Sequence, residues 1–482
     1  MSFSLPQFAA ALPEIFVLGM ICLILLLDLF LSDEQRIVTY LLSQLTAVGV
    51  ALLSFGYLGS ETVVTFSGLF IMDDMAALLK GSVGLMMVAI FVYSRHYLLQ
   101  RELFSGEFFT LSLAAMLGMM VMISAHSLLT IYLGLELMSL SLYALVALQR
   151  DSMQASEAAM KYFVLGAMAS AMLLYGMSML YGMSGTLNLN DMSAVLSAIE
   201  GEGELSVLIF GLVFVLVGVA FKLGAVPFHM WVPDVYHGAP TAVTMLISTA
   251  PKVAALAMLM RLVVEGMGPL QPQWIDILTL LALLSIIVAN VIAIAQTHLK
   301  RMLAYSGISH IGFLLLGVIA GTAEGYGAAI YYVIVYAIMG MAGFGLVILL
   351  SRRGFEAQNI SDLAGLHRHH PWFGLMALLI MFSMAGMPPL LGFWAKLAVL
   401  QAVVEVGLIH LAIIAVIFSV IGAFYYLRVV KVIYFDEPAE GAPKLSPPED
   451  LRLIFTLNAL AILVLGLMPD GLLELCLALF VV

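Results

Sequence analysis

Runs of about twenty apolar residues, each nearly free of charge, recur along almost the whole chain, and no other feature constrains the fold as much. A helix needs about 20 such residues to cross the hydrocarbon of a bilayer. Runs of this kind lie near 8–31, 37–58, 75–94, 107–125, 127–148, 157–182, 205–226, 240–262, 274–297, 302–321, 326–350, 372–403, 408–433 and 453–475. They predict an all-α, polytopic membrane protein of about fourteen helices, since in lipid each segment must satisfy its own backbone hydrogen bonds. The connection at 125–128 is very short, and the run at 372–403 is longer than one crossing requires. Of the 482 residues 63% are hydrophobic and 10% charged, well beyond the roughly 45–50% apolar content of soluble domains. The first run, with no basic residue ahead of it, exceeds the roughly 7–15 apolar residues of a cleavable signal peptide. It is read as a retained helix.

Charge then orients the spans. With fourteen helices the termini share a side. One set of alternate loops holds Arg36, Arg95, Arg101, Arg150, Lys300, Arg301, Arg352, Arg353, Arg368, Arg428, Lys431, Lys444 and Arg452, and the other holds Arg261 alone. Loops rich in Lys and Arg face the cytoplasm, so both termini are expected outside. The connection at 183–204, with Asp191, Glu200, Glu202 and Glu204, is expected to be an acidic outer loop.

Several functions are excluded by what this composition lacks. A net charge of −11 and no basic tract argue against nucleic-acid binding. Cys22 and Cys476 sit singly in apolar runs, where a buried, inert thiol is expected, and they supply neither a disulfide framework nor a cluster ligand set. There is no glycine motif to cradle phosphate. The longest polar connection, 434–452, is about twenty residues and too small for a soluble domain.

Four ionisable residues fall deep in these runs: Glu136, Lys222, Lys252 and Lys396. A charge near the bilayer centre costs at least about 2.5–3.5 kcal/mol on insertion scales, so such groups face protein or water and often mark ion pathways. Lys80 and Arg428, nearer helix ends, are expected to snorkel to the interface. Glu157 and Lys161 form an i,i+4 pair that reads equally as a local helix pair or a pathway entrance. His229, His237 and His310 lie beside or between the main charges and are possible proton relays, because imidazole titrates near neutrality.

Two of the lysines adjoin helix breakers. Gly224 and Pro227 follow Lys222, and Gly386, Pro388, Pro389 and Gly392 precede Lys396. Proline removes a backbone hydrogen bond, and carbonyls freed in a membrane need side chains or water, so both breaks are expected to be wet, polar points. If helices four to eight and nine to thirteen are two units, the broken helix is the fourth element of each. An odd number of helices per unit then requires inversion. The chain divides accordingly into 1–105, a five-helix unit at 106–262, a second inverted unit at 273–433, and a cytoplasmic loop with the last helix at 434–482.

The segments FKLGAVPFHMWVPDVYHGAPTAVTMLISTAPK, LGLELMSLSLYAL, ASEAAMKYF, KRMLAYSGISHIGF and GMPPLLGFWAK together resemble the subunit N branch of the antiporter-like family of complex I type NADH:quinone oxidoreductases. The resemblance runs from LPEIF at 12–16 to the last helix. PDVYHGAP followed by a PK pair resembles that branch more than the sister subunits M and L or the cation/proton antiporter subunits, which remain the alternative, beside a purely structural scaffold. It implies a proton channel in a bacterial inner membrane and no cofactor in this chain. Flavin mononucleotide, iron–sulfur clusters and quinone are then expected in partner subunits, with antiporter-like sisters and small membrane subunits as neighbours. It also implies that Glu136 is the coupling glutamate, Lys222 its partner, Lys252 the central lysine and Lys396 the lysine of a second half-channel. Apart from the resemblance, a proton released from Lys222 is expected to pass by water and His229 or His237 to Lys252 and onward to Lys396.

A magnitude follows independently of the resemblance. A Glu136–Lys222 pair about 7 Å apart attracts by about 2.4 kcal/mol at an effective dielectric near 20. Moving one charge against 100 mV costs about 2.3 kcal/mol. A single pair switch therefore only matches its load, and energy must come from partner subunits.

Overall fold

In the computed structural model, which describes residues 6–199, 201–438 and 446–480, the apolar runs are helices. The side chains of Asp33 and Glu202 are not described, and Glu200 and Lys444 lie outside the described residues. Among the described residues thirteen helices are long and apolar enough to cross a membrane. The run at 372–403 is the fourteenth, divided into Pro371–Ala385 and Leu391–Glu405 around the Gly386–Pro389 break. The prolines there cannot donate to a helical ladder, so neither half continues into the other.

The chain forms two compact units interleaved in sequence. The first comprises Met1–Phe91, Leu103–Leu223 and Ala250–Ile277; the second comprises Val92–Glu102, Gly224–Thr249 and Leu278–Val482. Helices on the outside of each unit keep bulky apolar side chains outward, such as Leu129, Leu133 and Leu140 in the first and Ile413, Val416 and Val420 in the second. Such surfaces suit lipid, which offers them no penalty. In the second unit Leu299–Ile319 and Ala323–Leu350 are 94% covered by protein along their apolar windows.

At one end of the first unit, irregular backbone is saturated by irregular backbone. A two-stranded hairpin, Val63–Thr65 with Phe70–Met72, presents Leu69 O to the N–H of His126 at 3.1 Å and donates its Ile71 N–H to Ser124 O at 2.9 Å. Leu128 N–H in turn donates to Leu187 O at 2.9 Å, and Ser127 bridges Asn188. Asn188 then caps the short helix Leu189–Leu196. The sequence reading has neither the hairpin nor this helix, because both carry too few residues for a periodic signal. The second unit repeats the device: His298 bridges Asn359, Leu299 N–H donates to Gln358 O at 2.7 Å and Ile360 N–H to Thr297 O at 2.9 Å. In both units the bridged residues are 61 positions apart.

Several sequence expectations about charges are corrected. Lys80 does not snorkel; it is fully buried and paired with Glu14 at 2.5 Å. Arg428 is part-buried and donates to Ile294 O and Gln296 O at 2.8 and 2.6 Å, closing the end of the helix Gln271–Ala295. Arg261 is no loop cation: it is 1% exposed and lies in the π-turn Arg261–Gly266. Cys22 is exposed on the outer apolar face, while Cys476 is buried.

Lys300 is also buried, and it anchors the loop after Leu350. Glu356 in that loop accepts from Tyr97 at 3.2 Å and from Thr241, and lies 3.6 Å from Lys300 and 3.3 Å from Arg101. Burial raises a carboxyl's proton affinity, but here Lys300 and Arg101 overcome it and hold Glu356 below the usual carboxylate range. A carboxyl depressed on folding stabilises the fold above its unfolded pKa and loses that contribution as pH falls through its folded one. Glu356→Gln should therefore lower the melting temperature of the purified protein at pH 7, since leaving buried Lys300 without its carboxylate costs roughly 3–5 kcal/mol. The gap from wild type should close once pH drops below about 4; a gap independent of pH contradicts the assignment.

Candidate functional site: buried lysines at interrupted helices

In the first unit the helix Glu202–Leu223 stops one residue beyond Lys222, where Gly224 adopts a φ of +84°. A helix leaves its last four carbonyls unbonded. The Lys252 ammonium donates to one of them, the backbone oxygen of Lys222, at 3.1 Å. Lys252 itself lies in the first turn of Ala250–Met260, just past a further interruption at Thr249 (φ −120°, ψ −87°) that the sequence reading does not contain. Both lysines are at most 6% exposed.

Lys222 points its ammonium to the helix Leu128–Val146, donating to Ser139 Oγ at 2.8 Å and Tyr143 Oη at 3.3 Å. Glu136 precedes Ser139 by one turn and Tyr143 by two, so the three share a helix face. No ion pair joins Glu136 to Lys222 among the described residues, and one carboxylate oxygen of Glu136 is buried without a hydrogen-bond partner. The carboxylate therefore acts on Lys222 through space and not through a bond. Ser139 and Tyr143 are absent from the sequence reading, although their spacing from Glu136 in LELMSLSLY is a legible signal.

The second unit has the same element in another arrangement. Pro371–Ala385 ends at Gly386 (φ +87°), and Lys396 on the following half-helix donates to Ala385 O at 2.9 Å, Met384 O at 3.4 Å and Ser419 Oγ at 2.9 Å. Its charge also lies 5.1 Å from the Phe313 ring centre, a favourable cation–π distance. His310, 4% exposed, lines a polar cavity of about 10 Å³ with Lys396, Ser419, Asn290 and Tyr426, room for about one water. Its ring nitrogens reach Tyr332 Oη at 2.7 Å and Tyr426 Oη at 3.3 Å, and Tyr426 pairs with Ser306 at 2.5 Å. This hydroxyl network was not expected from sequence, where a tyrosine in an apolar run reads as core.

The remaining candidates are placed differently. Glu157 and Lys161 pair at 2.9 Å with side chains 68% and 43% exposed, the geometry of a local surface pair. His229 and His237 belong to the second unit. His229 Nδ1 is buried without a hydrogen-bond partner and its ring lies 6.4 Å from Tyr305. His237, outside the spanning helices, faces His298 at 4.9 Å, and burial, together with Lys300, pushes it down to about 4. It is therefore neutral near pH 7.

Residues 125–422 match the family model described as NADH:quinone oxidoreductase/Mrp antiporter, TM. A relative named NADH-quinone oxidoreductase subunit N, from Thioalkalivibrio sulfidiphilus, is 58% identical over 98% of both chains. The chain belongs to the subunit N family. A chain of respiratory complex I from Thermus thermophilus superposes with a TM-score of 0.81 at 30% identity, over 96% of this chain and 98% of that one. A chain of the Mrp complex from a Dietzia species superposes at 0.85 over 98% and 97%, but at 20% identity shows the fold alone. As a member of the subunit N family, the protein is a multi-pass, antiporter-like membrane-arm subunit of complex I that serves proton translocation among other membrane subunits.

The tight turn before Lys396 provides a test of its geometry. A Cβ at Gly386 would lie 2.9 Å from Lys396 Cδ, and the φ of +87° strains any L side chain. Gly386→Ala should lower stability by roughly 1–3 kcal/mol and reduce pumping by the assembled complex. Unchanged melting and unchanged pumping would contradict the described carbonyl–ammonium arrangement.

Proposed function

We propose that Glu136, Lys222 and Lys252 form one proton half-path and that Lys396, with His310, forms the station of a second. The observation that supports this most is the chemistry of the ammonium partners. Lys222 and Lys396 donate to hydroxyls and helix-end carbonyls and form no ion pair among the described residues. An ammonium held by neutral oxygens can release its proton without breaking an ion pair. Moving the Glu136 charge alters the proton affinity of Lys222, and the Lys252 ammonium donates to the backbone oxygen of Lys222.

In this reading the chain contains two inverted five-helix repeats, 106–262 and 273–433, flanked by 1–105 and 434–482. The equally spaced bridges Ser127–Asn188 and His298–Asn359, each preceding a short capped helix, support it. Both termini face the periplasm of a bacterial inner membrane. Glu14, Asp73, His126 and Arg261, which the alternation of loops assigns to one side, meet at one end of the first unit. Redox chemistry with flavin, iron–sulfur clusters and quinone belongs to partner subunits, and its energy shifts the Glu136 charge. An independent cation/proton antiporter is the weaker reading, since the Mrp likeness is one of fold. His229 and His237 are secondary candidates for proton relay, and Glu157 with Lys161 for proton entry.

Substitutions at Lys252 separate a proton carrier from a scaffold cation. Arginine keeps the charge but does not release a proton, so Lys252→Arg in the assembled complex should depress NADH:quinone activity and pumping by at least about tenfold, as should Lys252→Met. A scaffold lysine tolerates Arg and suffers from Met; an active Arg variant overturns the reading. Glu136→Gln, which keeps shape and removes charge, should lower both rates together, and wild-type rates in an intact complex would reduce the carboxylate to packing.

A further inference from the structure

We infer that His126 and Glu265 form a proton-binding site at the hairpin end of the first unit, the end that charge distribution assigns to the outer face. His126 Nδ1 and Glu265 Oε2 face each other at 3.8 Å. That is too long for a hydrogen bond, and neither atom has a hydrogen-bond partner among the described residues. The imidazole is 3% exposed and the Glu265 side chain 27%, so the carboxylate stands between buried ring and solvent. A proton taken by either group, or a water bridging them off the axis, closes the gap.

The surroundings hold both groups in place and leave one negative charge in excess. Arg261 binds Asp73 through two hydrogen bonds of 2.8 Å, also binds Glu265, and donates Nε–H to Ile123 O at 3.2 Å. Burial acts to raise the Asp73 carboxyl, but Arg261 keeps it below the usual carboxylate range, so it stays charged. Lys80 pairs with Glu14 at 2.5 Å. Glu14, Asp73 and Glu265 thus face Lys80 and Arg261, three carboxylates against two cations. Of other acids on the packed elements, Asp74 is engaged by the Gly59 N–H at 2.7 Å and Asp191 on Leu189–Leu196 is exposed. Backbone hydrogen bonds hold the His126 main chain from both sides, through His126 N–H to Leu69 O at 3.1 Å and Leu189 N–H to His126 O at 3.2 Å. Glu265 is fixed by the π-turn, whose wide hydrogen bond runs from Met267 N–H to Leu262 O at 2.9 Å. π-turns are frequent at functional sites.

The site also stands in line with the half-path. Lys252 lies nine residues before Arg261 on the same helical stretch, Ala250–Met260 followed by the π-turn, a rise of about 13 Å. The inference therefore rests on the proposed role of Lys252 and supplies the group from which protons leave, or enter, at that end.

The test uses the assembled complex in proteoliposomes, with pumping and turnover followed while the pH on the hairpin side is varied from about 5.5 to 8.5, the range in which histidine titrates, and the other side is clamped. Wild type should show a limb governed by hairpin-side pH. His126→Asn and Glu265→Gln should abolish that limb and slow proton transfer at least about tenfold, and Glu265→Asp, which retains an acid, should restore most of both. Should Glu265→Gln fail to assemble, His126→Asn, which leaves Arg261 with both its carboxylates, decides on the same readout. Variants that keep the wild-type limb and rate overturn the inference, as does a slowing that Glu265→Asp does not relieve. If Lys252→Arg blocks pumping while His126→Asn does not, only the site at this end falls; if neither does, the half-path falls with it.

Discussion

A backbone carbonyl without a partner is costly in a low-dielectric interior, and this chain leaves such carbonyls open where Glu202–Leu223 and Pro371–Ala385 end. What occupies them is an ammonium. Lys252 takes the oxygen of Lys222, and Lys396 takes those of Ala385 and Met384. The arrangement solves two problems together, because a buried cation needs donors' partners as much as the broken helix needs donors. The negative end of a helix dipole adds to the attraction. Removing either member leaves the other unpaired; at the Gly386–Pro389 break the lysine is the one next to it in sequence, whereas at the Gly224 break it comes from Lys252, thirty residues on.

Much of this was legible in the sequence. Long apolar runs announced the helices, and the rarity of charge made Glu136, Lys222, Lys252 and Lys396 conspicuous. Gly224 with Pro227, and Gly386 with Pro388 and Pro389, announced the breaks. Most of the partners were not legible. Ser419, Tyr332 and Tyr426 sit in apolar runs where hydroxyls ordinarily bond their own helix, and only tertiary packing turns Ser419 toward Lys396 and the two tyrosines toward His310. The interruption at Thr249 carries no glycine, and Pro251 alone does not distinguish a kink from a helix start.

Charges near helix ends misled for a related reason. Hydropathy treats a lysine within a turn of the interface as free to reach water, so Lys80 read as snorkelling and Arg261 as a loop cation. In the fold the hairpin, the turn at 124–127 and the π-turn cover that end of the first unit, and both cations pair with carboxylates far away in sequence. Lys300 is covered in the same manner by the loop bearing Glu356. Short irregular segments thus determine which charges are buried, and such segments leave little periodic trace.

The central claim is that the lysine ammoniums, held by helix-end carbonyls and neutral hydroxyls, are hydrated enough to pass protons. A density map of the assembled complex sharp enough to show ordered water measures this directly. The account predicts the Lys396 ammonium on Ala385 O and Ser419, with water in the cavity between Lys396 and His310, and Lys252 on the oxygen of Lys222. A Lys396 ammonium paired with a carboxylate, or a cavity closed by aliphatic side chains, would contradict it.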